Sequence, residues 1–568
     1  MSFIDWLVLI GTLSFIVIYG MYRSRGKQNI EDYLIANQSL PWYHVCFSVM
    51  ATQASAITFL STPGQGFADG MRFVQFYFGL PLAMVVLSIT FVPIFHRLKV
   101  FTAYEFLETR FDGRVRIFTV ILFLLSRGLS TGLSIYAPSI ILATILGWDL
   151  TWTNILMGTV VLVYTVSGGT KAISHTHLQQ MIIVTVAMFV AGYMVVHLLP
   201  AEVGFVDALK IAGKAGRINT IDFHFDPNSR YNVWSGLIGG FFLQLSYFGT
   251  DQSQVGRYLT GQSIGQSRLG LMMNGLLKIP MQFLILLVGI LVFVYYQYNP
   301  APLFFNQVEI DKLKSSQYAA DYESIETKHQ RLVNQQREAV DNLAQALEKD
   351  QSSEVERWQN TINEADKAKK ELKSEAVALI KKNNPTADTS DVNYVFLRFV
   401  LDRLPIGLIG LLIAVIFSAS MGSIAAAYNS LASTTVIDIY KRFYRKEGSE
   451  NHFLNASRLA TIGWGIFCVV VAQYASKLGS MIEAVNILGS LFYGVILGIF
   501  LVAFYFKKLG GTATFWGAVL AEIAVVLCWW FDLTAFLWLN VIGCLLVIGF
   551  AWVYQQVMGK EGKESEGR

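Results

Sequence analysis

Apolar stretches as long as a bilayer is thick recur along nearly the whole chain, and no other feature restricts its fold as much. A helix rises about 1.5 Å per residue, so roughly 20 apolar residues cross the hydrocarbon core. Backbone groups at that depth have no water to bond, which leaves helices or closed barrels as the spanning structures. These stretches are too long for barrel strands, so an all-α polytopic membrane protein is expected. Composition agrees: 54% of the 568 residues are hydrophobic and 15% are charged, against about 25% charged in soluble domains. A formal net charge of +4 gives no argument for nucleic acid. The lipid bilayer is the partner that composition demands. Cys46, Cys468, Cys528 and Cys544 all lie inside apolar runs, so neither a disulfide framework nor a metal cluster is expected.

Counting apolar windows gives about thirteen spans. Residues 1–42 hold the first span, expected to be retained, and a loop. Residues 43–200 hold spans two to six, and 201–299 open a second half that 394–510 completes. Residues 511–556 add two accessory spans, and 557–568 form a tail with no room for a signalling domain. Lysines and arginines fall in alternate short loops: Arg23, Arg25 and Lys27; Arg97, Lys99, Arg110, Arg114 and Arg116; Lys171; Arg257 and Arg268; Lys441, Arg442 and Arg445. Cytoplasmic loops carry such an excess. The alternation therefore places the N-terminus outside and the C-terminus in the cytoplasm, in the cell inner (plasma) membrane.

Residues 300–393 interrupt the pattern with a polar, charged segment. Within it Ile325, Leu332, Ala339, Leu343 and Leu347 follow a three–four spacing, as do Val355, Trp358, Ile362, Ala365, Leu372, Ala376 and Leu379. Asp350-Gln-Ser-Ser353 separates the two runs. That pattern predicts an extracytoplasmic helical hairpin whose apolar seams pack together like a coiled coil. It is either a solvated insert or a docking arm for a partner.

Two spans have polar middles. Ala51-Thr-Gln-Ala-Ser-Ala-Ile-Thr-Phe-Leu-Ser-Thr-Pro-Gly64 interrupts the second, and Gly249-Thr-Asp-Gln-Ser-Gln-Val-Gly-Arg257 interrupts the seventh. Backbone unwound at membrane depth must line a cavity or be buried in protein. If spans 2–6 and 7–11 are the halves of a five-plus-five inverted repeat, these are the first helices of each half. Corresponding interrupted spans mark the central site of a transporter. The ninth span, Phe417-Ser-Ala-Ser-Met-Gly-Ser-Ile-Ala-Ala-Ala-Tyr-Asn-Ser430, offers a face of small residues, Ala419, Gly422, Ser423 and Ala426. Carbonyls freed by a broken helix, with one hydroxyl, suit a monovalent cation such as sodium. Arg127 and Lys278 are charges within spans, costly enough to mark function. Gln75 and Asn486 are further polar candidates for the solute site. Paired carboxylates, a metal-ligand cluster and a phosphate-cradling loop are all missing from any plausible site, so an enzyme is not expected.

The Ser55-Ala-Ile-Thr58 break, Phe101-Thr-Ala-Tyr-Glu-Phe-Leu-Glu-Thr-Arg-Phe111, Ile135-Tyr-Ala-Pro138, Gly168-Gly-Thr-Lys-Ala172, Asp251-Gln-Ser-Gln-Val-Gly-Arg-Tyr-Leu259, and Asn429 with Asp438-Ile-Tyr440 resemble the sodium–solute symporter family. Its iodide, multivitamin and monocarboxylate branch looks nearest. The resemblance implies a co-transported sodium ion held by Ala51, Ala54, Ala419, Gly422 and Ser423, of which only Ser423 brings a hydroxyl. It also matches Thr58, Tyr77, Gln244, Tyr247, Lys278 and Val485 to positions that touch or gate sugar in sodium–galactose members. The sugar-binding chemistry is replaced at Thr58, Tyr77 and Val485, so a small organic anion is the expected solute. Where many members carry an aspartate for a second sodium, this chain has His177, and the facing hydroxyl positions are Ala425 and Ala426. A single coupled sodium is therefore expected. The alternative is a transporter-like receptor that binds solute without coupled transport.

Overall fold

The computed structural model describes residues 1–23, 38–98, 102–349, 351–385, 387–475 and 479–565. Arg25, Lys27, Lys99, Asp350 and Phe101 fall outside the described residues, as do the side chains of Arg23, Leu347 and the Gly168–Ala172 motif. Among the described residues the regular secondary structure is all helical, apart from one isolated bridge between Leu40 and Gly261.

The first helix, α1 (Phe3–Arg23), is followed by a helix broken in two, α2 (Trp42–Gln53) and α3 (Ala56–Asp69). The break follows from capping chemistry. Ser55 is extended (ψ −175°), and its hydroxyl accepts from the Ile57 N–H at 3.2 Å, as an N-cap serine does. Thr58 N–H bonds Ser55 O and not Ala54 O, so the ladder does not bridge the gap. The chain then reverses at Gly70 (φ +73°), through a 3₁₀ turn at Gly70–Tyr77, into α4 (Leu80–Val86). Gly70 is required on two counts: its left-handed φ, and the Arg217 carbonyl 2.2 Å from where a Cβ would sit.

Two long helices follow, α5 (Gly113–Leu146) and α6 (Leu150–His197). Residues twelve apart in a straight helix are separated by about 18 Å, yet the Tyr164 and Thr176 hydroxyls lie 3.3 Å apart. The chain is therefore not one straight helix between them, and the two arms of α6 fall where the fifth and sixth spans are expected. The second half repeats the opening device. Helix α7 (Gly240–Thr250) stops at Asp251 (ψ 119°), whose carboxylate accepts from the Ser253 N–H at 2.8 Å and starts α8 (Gln252–Tyr258). Next come α9 (Ile264–Tyr298), the insert, α12 (Val392–Arg403) and α13 (Leu408–Thr434), then α14 (Glu450–Ala472), α15 (Met481–Tyr505), α16 (Gly511–Trp530) and α17 (Phe536–Ser565).

Among the described residues nine helices are long and apolar enough to cross a membrane, and Phe3–Ile16 and Leu150–Val166 are shorter apolar helices. This number is smaller than thirteen partly because Ala56–Leu98 counts once although its chain turns at Gly70, and because the halves of α7–α8 are each too short.

The insert is a pair of helices of 30 and 32 residues, α10 (Ala319–Glu348) and α11 (Ser352–Asn383). Val340, Leu343 and Ala346 of α10 share one apolar cluster with Val355 and Ile362 of α11; Ile325 shares another with Ala376 and Ile380. Its feet are tied to the core. Within the insert, Asp391 accepts from the Phe305 N–H at 2.6 Å and pairs with Lys373 of α11 at 2.6 Å, while Asp388 reaches the core by accepting from the Tyr136 hydroxyl of α5 at 2.8 Å. Asn393 accepts from the Ser61 hydroxyl on α3 at 3.0 Å and donates to Gly479 O at 3.1 Å.

Candidate functional site

The first helix break opens on a cavity of about 90 Å³ in the middle of the helical core, and the second lies behind its wall, bonded to the lining residues Arg127 and Tyr493. Thr52, Gln53, Ser55 and Thr58 line it from the first broken helix, Leu243 and Tyr247 from the second, and Arg127 from α5. Ser423 of α13 and Val485, Asn486 and Tyr493 of α15 complete the wall. Solute pockets span roughly 300–1,000 Å³, so a bound solute must displace aromatic side chains such as Tyr77, Tyr247 and Tyr493.

At the first break Ala51 and Ala54 are buried on α2 and its C-cap, while Ala419 and Ser423 are buried on α13. The structure brings Ser423 and the unwound segment to the same cavity. Gly422 faces elsewhere: a Cβ there would lie 2.6 Å from Gln180 Oε1 and 2.9 Å from His177 Nε2. His177 is fully buried, with Nδ1 3.2 Å from the Ser48 hydroxyl of α2. The imidazole thus fills the space that a side chain at 422 would need. The histidine and the glycine are one substitution in physical terms, and sequence alone showed them as two.

At the second break the cavity wall is charged. Arg127 makes an ion pair with Asp251 through Nη2, and its Nε donates to Asp251 Oδ2 at 3.1 Å. The Tyr493 hydroxyl donates to the same oxygen at 2.9 Å, and Ser253 Oγ donates to Oδ1 at 2.6 Å. The guanidinium also lies 5.4 Å from the Tyr247 ring centre. Asp251 and Tyr493 were not among the sequence candidates. An acidic N-cap at a break within a span was the available signal.

The remaining candidates divide. Lys278 is fully buried on α9, and among the described residues Nζ has no hydrogen-bond partner; it sits 6.0 Å from the centre of the Tyr77 ring. Gln244 is fully buried with neither amide atom bonded among the described residues. Gln75 lies away from the cavity, donating to Tyr231 O at 3.3 Å and accepting from the Asp222 N–H at 3.1 Å. Asn486 lines the cavity and donates to Ile482 O at 2.8 Å.

Far from the hairpin, a second buried network went unnoticed in the sequence. Asp438 Oδ1 accepts from Arg116 Nε at 2.8 Å and Nη2 at 2.5 Å, and from the Thr102 hydroxyl at 3.0 Å. Next to it, Tyr104 donates to Thr250 O at 2.8 Å and the Ala103 N–H to Gln252 Oε1 at 3.0 Å. Ala103 and Tyr104 therefore hold the second broken helix on both sides of its break.

Comparison with known proteins accounts for this architecture. The sodium:solute symporter family model matches residues 33–320 and 370–521. The sodium-dependent multivitamin transporter of Oryctolagus cuniculus is 27% identical over 514 residues, covering 89% of this chain and 67% of the relative. Sodium-coupled monocarboxylate transporter 1 of Homo sapiens is 26% identical, covering 87% and 68%. A solved Na+-coupled sialic acid symporter, substrate-bound and outward-open, superposes with a TM-score of 0.76 at 21% identity, covering 98% of each chain. With its paired broken helices around one cavity, the chain belongs to the sodium:solute symporter family and is a sodium-coupled membrane carrier rather than an enzyme.

Proposed function

We propose that this carrier imports a small organic anion with sodium by alternating access, the solute sitting between the two broken helices. The observation that carries the anion is Lys278: a fully buried amine beside Tyr77, with no counter-charge among the described residues. An isolated buried charge is costly, and a carboxylate arriving in the cavity offsets that cost. Arg127 is already balanced by Asp251, so the unpaired basic group is Lys278, which lies beside the lining residue Tyr77 and does not itself line the cavity. The monocarboxylate transporter among the relatives fits the same chemistry.

Sodium is assigned to the carbonyls of Ala51, Ala54 and Ala419 with the Ser423 hydroxyl, Gly422 giving at most a carbonyl. The spacing of basic loops supports thirteen crossings of the plasma membrane, N-terminus outside and C-terminus inside, which puts the α10–α11 hairpin outside, packed on the core along one side and open to a partner on the other. The test is uptake into proteoliposomes under a sodium gradient, with monocarboxylates, vitamins bearing a carboxylate, sialic acid and neutral sugars as a panel. An anion should be taken up saturably, and Lys278→Met should abolish that uptake while sodium binding persists. Sodium-driven uptake of a neutral sugar that no carboxylate competes with refutes the reading.

A further inference from the structure

The two halves of the repeat place equivalent elements at their two breaks. The proposed sodium site joins the break in the first helix of one half, at Ala54, to the third helix of the other half, α13, at Ser423. Exchanging the halves pairs the break in the first helix of the second half, at Asp251, with the third helix of the first half, α5. The residue that α5 brings there is Arg127. We propose that the second break is a cation position of the same origin, occupied permanently by the Arg127 guanidinium as a tethered ion.

The oxygens around that guanidinium are arranged for a cation. Asp251 is buried, at 1% exposure, and its Oδ2 faces Arg127 while its Oδ1 is taken by Ser253. The Tyr493 hydroxyl oxygen accepts from Arg127 Nη2 at 3.1 Å. Ser130, one turn along α5, lines the same cavity. A carboxylate with neutral hydroxyls is an all-oxygen donor set of the kind that suits a hard cation. Arg127 cannot leave the protein, so the charge that holds α5, α8 and α15 together at the second break stays constant. The mobile ion acts only at the first. Arg127 on this account is a positioning residue, and the solute carboxylate is left to Lys278.

The inference rests on the sodium assignment at Ser423, and the test separates the two. Purified wild type, Arg127→Ala, Arg127→Gln and the doubly neutral Arg127→Ala with Asp251→Asn are titrated with NaCl and, separately, with low-millimolar guanidinium chloride. Intrinsic tryptophan fluorescence reports binding, and size-exclusion profiles report folding. Wild type should give one hyperbolic sodium response and none to guanidinium. In the single variants the vacated position should take a cation. The sodium curve should become sigmoidal, with a Hill coefficient above one and at most about two, or a saturable guanidinium response should emerge. The double variant should lose both gains. Folded single variants whose sodium curve matches wild type and which ignore guanidinium overturn the proposal. Loss of the wild-type sodium response in Ser423→Ala speaks only to the first site.

Discussion

Asp388 sits where the insert meets α5, and its ionisation sets how firmly that foot is held. Oδ2 accepts from the Tyr136 hydroxyl at 2.8 Å and the Tyr394 hydroxyl at 3.0 Å, and Oδ1 accepts from the Ser390 N–H at 2.9 Å. Burial outweighs these bonds, and neighbouring Asp391 adds repulsion, so the carboxyl is pushed from 3.8 to about 6. A raised folded-state value means that the group stabilises the fold most below its unfolded value. That contribution fades as pH rises through about 6. About two units at 1.36 kcal/mol each correspond to about 3 kcal/mol lost between about pH 4 and about pH 7. His329 in α10 works in the opposite direction: burial, with Lys369 and Lys373 nearby, pulls it from 6.5 to about 4. Its contribution is present above 6.5 and fades as pH falls. Whole-protein melting would mix the two, so the measurement is local. The opening free energy at the Ser390 and Tyr394 amides, from hydrogen exchange, should fall with rising pH in wild type. Asp388→Asn cannot ionise and should be flat. A wild-type profile that is also flat, or a variant that follows it, refutes the reasoning.

Ser423→Ala removes the hydroxyl from the proposed sodium site. Half-maximal sodium in uptake should rise severalfold with expression unchanged, and an unchanged sodium curve would take Ser423 out of the site. Arg116→Leu leaves Asp438 buried without its guanidinium, a loss of about 3–5 kcal/mol by comparison with broken buried pairs. The folded yield should drop and recover in Arg116→Leu with Asp438→Asn, as read by monodisperse protein on size exclusion. Replacing α10 and α11 (319–383) by a short linker removes Lys373 but leaves the contacts of Asp388 with Tyr136 and of Asn393 with Ser61, so sodium-driven uptake should be preserved. Extending the excision through Asn393 should abolish it, since that removes the bonds to Ser61 and Gly479 and the Val392 carbonyl packed on Gly64.

The breaks were legible because their cause is local. Serine at 55 and aspartate at 251 are N-cap residues set inside apolar runs, and capping operates within three residues. The hairpin seam was legible for a similar reason, since three–four spacing is a property of one helix at a time. Ile380 and Val333 are buried beside the expected Leu379 and Leu332, a shift of one residue within the same stripe. What stayed hidden is pairing over distance. Arg127 and Asp251 are 124 positions apart, and Arg116 and Asp438 are 322 apart. No periodicity links such residues; only the packing of α5 against the second broken helix and the end of α13 brings them together. Gln75 shows the converse. A polar residue in a span advertises a need for partners, and here backbone groups at Tyr231 and Asp222 meet that need.

The charges near the cavity divide the work between its two ends. One cation, Arg127, is fixed and neutralised, which lets an acidic N-cap sit at membrane depth without leaving a net charge there. The other, Lys278, has no partner among the described residues, and in the proposed function the solute carboxylate supplies one. Sodium at the first break meets no carboxylate in the proposed set, so its charge too is offset only when the anion enters the same cavity. On that proposal, sodium and a protonated Lys278 repel, and an anion between them relieves both. Binding of either partner therefore favours the other, and that mutual dependence is what a symporter needs to couple their movement.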